Sequence, residues 1–421
     1  MFFTQQLLRN HSFSCEAQAL PELKSHQPGQ VHVRGKDLPY QLVQVGERFY
    51  YFYPPANTIL GVPYVAVANL LGISAIDKNG VYDARGDLQI QKGLAALLMA
   101  GLCVVIFFTS RLLLPLGWSL TITAAAAFGT QIWSTASRLV WSHTWGIFLL
   151  GIAVWLIVRA ETKQKRIPPV VLASCLAWLY FVRPTFSVSI VAITVYLLLY
   201  HGRILLPFAV TGVLWLGALV AFSEYHYGQL LPPYYHSYVA NNAAALASFR
   251  EGLAGTLISP SRGLFVYLPV LLFVAYLLVR YHKTSQSRLV FLALSVVTAH
   301  VVLVSRFQGW HGGYSYGPRL CTDVVPWLAL LGMLAVHSRL KYQAANPGRD
   351  SGLLLWSECG VGLALLAVGI MLNGIGAVWG PASRWNIVPT HVNEDTKRLW
   401  DWRHPPFLGP PDSTATDNNS R

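Results

Sequence analysis

Apolar residues in this 421-residue chain gather into long runs separated by short polar stretches. Crossing ~30 Å of hydrocarbon takes about 20 apolar residues at ~1.5 Å of helical rise each. Runs near that length, several of them shorter, predict ten transmembrane helices: 92–112, 117–136, 141–158, 169–182, 185–200, 204–223, 263–280, 289–305, 320–336 and 353–373. The breaks between them carry Pro, Gly or charge, as helix ends do. The pattern predicts an all-α multi-spanning membrane protein: a helical bundle over 92–373, an N-terminal segment over 1–91, and a C-terminal tail over 374–421. Within the N-terminal segment, the run Ala56–Ile76 contains Asn57, Pro63 and Asn69, which predicts an interfacial helix rather than a span. No internal repeat is evident, and the polar end Pro410–Arg421 reads as low complexity.

Composition narrows the class. The chain is 54% apolar and 12% charged, against about 25% charged in soluble domains, and its mean hydropathy is +0.44. A soluble globule, a disordered chain and a disulfide scaffold are excluded. The 31 basic and 18 acidic residues leave a formal +13. The bases sit in short loops rather than along one stripe, so nucleic acid is not an expected partner. Arg111, Arg159, Lys163, Lys165, Arg166, Arg203, Arg280, Lys283, Arg288, Arg339, Lys341 and Arg349 occupy one set of loops, twelve in all. The alternate set holds only Arg138, Arg183, Arg250, Arg262, Arg306 and Arg319. By the positive-inside rule the first set is cytoplasmic, which places segment 1–91, the tail and the loops of the alternate set on the outer side of the cell (inner) membrane. The first 30 residues lack a basic start followed by an apolar stretch of about 7–15 residues. Export of segment 1–91 therefore leaves two readings: a helix precedes Met1, or Ala56–Ile76 is a span and 1–55 is cytoplasmic. Of five cysteines, Cys103, Cys175, Cys321 and Cys359 lie inside apolar runs, so neither a disulfide framework nor a Cys metal site is expected.

Unusual residues concentrate in the loops read as external. Loop 224–262 is 39 residues long and aromatic-rich, longer than a mere connection requires. Loop 306–319 holds four glycines with Trp310, Tyr314 and Tyr316, a composition that suits backbone folded close to a ligand between stacking faces; an interfacial aromatic belt is the alternative. Arg183, Arg262 and Arg319 each stand beside Pro or Gly at the outer end of a span. A single arginine there reads as snorkelling to headgroups; three together read as guanidinium forks for a lipid-linked phosphate. Asp323 follows Arg319 by four residues and is expected to pair with it on one helix face. Glu224 and Glu358 are the other carboxylates at span ends, while Glu47, Asp83, Asp87 and Glu251 read as solvated. His311, between Trp310 and Gly312, is the one histidine in a loaded context. No paired metal-ligand spacing, Walker loop, dinucleotide fingerprint or serine elbow occurs, so no metal or cofactor is expected.

The segment Ser259-Pro260-Ser261-Arg262-Gly263-Leu264-Phe265, followed by Trp310-x-Gly312-Gly313-x-Ser315-x-Gly317-Pro318-Arg319 and then Asp323 and Pro326, resembles the GT-C class of membrane glycosyltransferases. The likeness is to bacterial relatives of dolichyl-phosphate-mannose–protein mannosyltransferases. Tyr50-Tyr51-x-Tyr53-Pro54-Pro55, Arg183-Pro184-Thr185, Trp400-Asp401-Trp402 and Pro405-Pro406-Phe407 agree in order along the chain. The resemblance implies transfer of a monosaccharide from a polyprenyl-phosphate donor to a lipid, glycan or protein acceptor on the outer face of the membrane. It implies that Arg262 and Arg319 hold the carrier phosphate, to which the reading of span ends adds Arg183, and that the outer aromatic segments, with Tyr53, Trp310, His311, Tyr314 and Tyr316, contact sugar and acceptor. In that family the catalytic Asp lies just after a first span, and Met1-Phe2-Phe3-Thr4-Gln5 lies downstream of the matching point. Phe52 stands where many relatives carry Lys. No catalytic base can then be named, with Glu224 and Asp323 as fallbacks, and the alternatives are a shortened, inactive product and a start upstream. The competing functions are a transporter or flippase for a lipid-linked or anionic solute, and a non-catalytic membrane subunit that binds the lipid carrier. A transporter would show repeated halves with broken helices at matching positions.

Overall fold

A computed structural model describes residues 1–16, 30–33, 36–39, 41–46, 48–235, 249–347 and 352–410. Each predicted apolar run coincides with helical structure. In chain order the helices after the N-terminal segment are Ala84–Arg111, Leu116–Phe128, Ser142–Lys163, Pro169–Val182, Ser187–Tyr200, Leu205–Tyr227, Phe249–Ile258, Leu264–Tyr267, Val270–Arg280, Ser287–Ser305, Val325–Ala345 and Gly352–Val378. Six described helical stretches are long and apolar enough to cross a membrane: 84–111, 142–163, 202–227, 287–305, 319–345 and 356–378. The apolar helices at 116–128, 169–182, 184–200 and 270–280 are shorter. The molecule is thus a mostly helical, multi-pass membrane protein.

Local chemistry explains where these helices depart from the apolar runs. The first starts at Ala84 rather than 92 because the Asp83 side chain caps it, accepting from the Arg85 amide at 2.9 Å. Its first two turns are polar and so invisible to hydropathy. The run 117–136 is not one helix. It breaks after Phe128 and ends in a π-helical turn, Ile132–Ala136. The run 263–280 breaks at Leu268-Pro269, where proline has no amide to continue the ladder. Both breaks free carbonyls in an apolar interior, and Asn373 meets them. Fully buried, its amide donates to Gly129 O at 3.3 Å, Tyr267 O at 3.1 Å and Gly369 O at 2.9 Å, and its Oδ1 accepts from Ser134.

The stretch 319–345 is the centre of the bundle, with 83% of its most apolar window buried, whereas only 11% is buried along 202–227. Side chains at the start of 319–345 are therefore surrounded by protein, and the site is built there.

The N-terminal segment carries short strands beside its helices. Strands Ser14–Cys15, Arg48–Tyr51 and Leu42–Val45 form an antiparallel sheet with Ser14 opposite Tyr50 and Val43 opposite Tyr50. A second hairpin pairs Gln30–Val33 with Lys36–Pro39. Helix Phe2–Asn10 lays Phe2 and Phe3 against Cys15, Phe49 and Ile76, and that small core holds the sheet. The run Ala56–Ile76 forms two short helices, Ala56–Leu60 and Val62–Leu70, and stops before Gly72, whose φ is +79°. The tail is also folded. Trp385, Val392 and Leu399 close over Trp310 at the same end of the bundle. Of the low-complexity stretch, residues 411–421 lie outside the described residues, as do 236–248 of the long loop and Arg349.

Candidate functional site

Two cavities open at the end of the bundle that carries residues 142, 183 and 319. The first, about 520 Å³, is lined by Arg183 and Arg319, by Trp141, Ser142 and His143, and by Asp87 at the start of its helix. Its roof comes from the N-terminal segment, with Phe2, Phe3, Leu42, Tyr51 and Tyr53. Tyr53 is fixed there by ring contacts with Tyr51, Phe52 and Tyr234. The second cavity, about 460 Å³, shares Leu139, Trp141 and Arg319 with the first and adds Tyr314 and Tyr316. Arg319, its guanidinium 4.8 Å from the Trp141 ring centre, stands between the two.

Arg262 is placed elsewhere. It is 2% exposed and lines neither cavity. Its Nε donates to His311 O at 2.7 Å, Nη1 to Ser261 O at 2.9 Å, and Nη2 to Gly313 O at 3.1 Å and Asn386 Oδ1 at 2.7 Å, over the face of Trp385. Burial pushes its pKa down to about 10, which leaves it charged at neutral pH. The expectation that it joins Arg183 and Arg319 at a phosphate is corrected by this geometry. The glycine-rich loop does fold around a guanidinium, but the guanidinium is the chain's own. Gly312 and Gly313, at φ +74° and +63°, turn the carbonyls of 311 and 313 onto Arg262.

Asp323 is likewise not a free base. It is 1% exposed, and its oxygens accept from His143 Nδ1 at 2.6 Å, Thr185 Oγ1 at 2.6 Å and Arg183 Nε at 3.1 Å. The α-helical spacing that predicted an Arg319–Asp323 pair does not apply, because Arg319–Val324 is a 3-10 turn, which aligns side chains three apart rather than four. Asp323 instead fixes two groups of the first cavity, Arg183 and His143. Glu224 is exposed on a peripheral helix and lines neither cavity, so the geometry gives it no base role.

Trp310 is a packing residue, set against Gly255, Trp385 and Trp400. His311 accepts from the Gly313 amide through Nδ1 at 3.1 Å, and burial, with Arg262 and Arg319 nearby, depresses its pKa to about 4. It is neutral at physiological pH. Tyr316 is buried, donating to Leu372 O at 2.7 Å, whereas Tyr314 is 42% exposed and bonded to His391.

The sequence reading missed His143 and Asp87. His143 is the second residue of an apolar helix, a position where any ionisable group is a functional candidate. Asp87 is not solvated but buried in the cavity wall, accepting from Tyr82 Oη at 3.3 Å and Gln91 Nε2 at 2.5 Å, with the Met1 amino group at 2.7 Å. Burial, with Asp87 beside it, pushes Tyr82 up to about 12, so it remains a donor. Among the described residues no group of three or more His, Cys, Asp or Glu is placed to hold a metal.

Fold and site together define a helical multi-pass membrane protein with a cationic double cavity at one end of its bundle. No protein family, curated protein or solved structure matches the chain in comparison.

Proposed function

We propose that the protein is a glycosyltransferase of GT-C type that takes a monosaccharide from a polyprenyl-phosphate donor. The observation that carries this reading is that Arg183 and Arg319, far apart in sequence, line one cavity with His143 and Tyr53. The reading includes ten spans, the four shorter apolar helices completing the count, and places the cavities on the extracytoplasmic side, at the ends of the less basic loops. A carrier phosphate at the outer leaflet meets the two guanidinium forks. As the bond between the anomeric carbon and the phosphate oxygen breaks, its electron pair leaves with the phosphate. Preorganised cations stabilise that growing charge. The acceptor hydroxyl bonds to the anomeric carbon and gives its proton to His143, whose Nδ1 is held by Asp323 and whose Nε2 is the remaining ring nitrogen.

The test uses the full chain in phosphatidylcholine nanodiscs with undecaprenyl-phosphate [14C]mannose and [14C]glucose, and measures sugar released or transferred. Arg183→Gln and Arg319→Gln are each expected to lower turnover by about 100-fold or more, on the scale of a lost oxyanion contact. Turnover retained by both variants overturns the reading. Saturable binding of the donor with no turnover replaces it with a carrier-binding subunit.

A further inference from the structure

We infer that the second cavity is a binding site for a phosphate-bearing saccharide, the acceptor of the transfer. Its role as acceptor site rests on the transferase reading; its ligand chemistry does not.

Three arginines from separate segments line it: Arg138 after the π-helical turn, Arg319 at the start of the 3-10 turn, and Arg384 at the end of the short helix Gly380–Arg384. No Asp or Glu lines it, and among the described residues neither Arg138 nor Arg384 makes an ion pair. Three cations with no carboxylate around one cavity attract an anion of more than one charge, and the guanidinium fork suits phosphate. A second observation falls on two residues of the same lining. Thr135 Oγ1 is buried, on a residue only 6% exposed, and has no hydrogen-bond partner. Ser315 Oγ, also on the wall, has none either. A buried hydroxyl without a partner is costly, and such atoms mark a wall whose polar groups are not all satisfied within the chain. The π-helical turn that carries Thr135 is itself a rare element, frequent at functional sites.

The remaining walls are aromatic. Trp141, Trp379, Tyr314 and Tyr316 line the cavity, with Trp379 and Tyr314 about two-fifths exposed. Aromatic faces cover the apolar C–H faces of a pyranose ring. The volume, about 460 Å³, lies within the roughly 300–1,000 Å³ of small-ligand sites. The shared wall of Leu139, Trp141 and Arg319 would place a saccharide here next to a carrier phosphate in the first cavity.

Membrane phospholipid offers the same phosphate chemistry, so the experiment separates the two sources. The full chain in phosphatidylcholine nanodiscs is titrated with [14C]glucose 6-phosphate, with and without phosphatidylglycerol, inorganic phosphate or glucose as competitors. Saturable binding is expected, weakened at least tenfold in the Arg138→Gln/Arg384→Gln variant. Arg306→Gln, a cation outside both cavities, should bind as the parent does. Undecaprenyl phosphate binding by the same variants verifies that they are folded. Absence of saturable binding, or an unchanged affinity in Arg138→Gln/Arg384→Gln, overturns the inference. So does full displacement by phosphatidylglycerol, which marks a lipid-headgroup site, or equal competition by inorganic phosphate, which leaves the aromatic walls without a role. Glucose 6-phosphate binding without any sugar transfer sinks the transferase reading and leaves this site standing; transfer unaffected by Arg138→Gln/Arg384→Gln removes the acceptor role and leaves the transferase reading standing.

Discussion

Replacing Arg262 by alanine removes a fully buried guanidinium that holds the carbonyls of Ser261, His311 and Gly313 and the side chain of Asn386. Hydrogen bonds to a charged group contribute about 1.5–3 kcal/mol each. Four of them set an upper bound of roughly 6–12 kcal/mol, which relaxation and entering water reduce. Truncating one side of a buried charged network costs about 3–5 kcal/mol in practice. At about 2–4 °C per kcal/mol for a medium-sized domain, the Tm of Arg262→Ala should fall by roughly 6–20 °C. The assay is a thermal melt of the purified protein in nanodiscs, followed by tryptophan fluorescence, because Trp310 and Trp385 sit in the region that loosens. Arg262→Lys retains the charge but not the fork, and should melt between the two. Undecaprenyl phosphate binding, measured below the melting range, should stay within about threefold of the parent. Arg319→Gln should give the opposite pattern, a small shift in Tm and a large loss of binding. If Arg262→Ala melts like the parent yet no longer binds the carrier, the guanidinium is a ligand group and the staple assignment is wrong.

Other consequences are as direct. Asn373→Ala strips partners from Gly129 O and Tyr267 O at two helix breaks and should destabilise by about 1–3 kcal/mol per carbonyl left bare, read as a lowered Tm. A Cβ on Gly252 would lie 2.2 Å from Ser305 O, so Gly252→Ala must push helix 249–258 off helix 287–305 at about 1–3 kcal/mol, seen as faster proteolysis after Arg250. His311 is held near 4 in the fold against about 6.5 unfolded. Its neutral form therefore stabilises the protein fully above pH 6.5, and that contribution is lost as pH falls through 4. His311→Gln should flatten the Tm-versus-pH curve between those values, and an unchanged slope refutes the assignment.

Carboxylates illustrate how far a one-dimensional reading reaches. Asp323 was legible as an unusual residue because charge inside an apolar run is rare. Its partners were not, since His143 lies 180 residues away and Arg183 lies 140. Asp87 looked like any polar residue ahead of a helix, and in the fold the Met1 amino group, Tyr82 and Gln91 meet its buried carboxylate. The short strands at 14–15 and 48–51 carried no readable alternation, because a sheet of two- and four-residue strands is specified by its partners.

The sequence by itself determined which long apolar runs of the chain are helical and which loops concentrate aromatic, glycine and arginine residues. It could do so because an apolar solvent forces backbone polar groups to be satisfied within each helix, which makes a membrane-crossing segment a local property of composition. Which arginine faces a cavity and which holds the chain together was decided only by tertiary packing. Arg262 and Arg319 stand in similar Pro- and Gly-flanked contexts, yet one guanidinium meets carbonyls turned inward by a glycine loop and the other lies over Trp141 between two cavities. The direction of a long side chain at a helix end depends on what approaches it from distant parts of the chain.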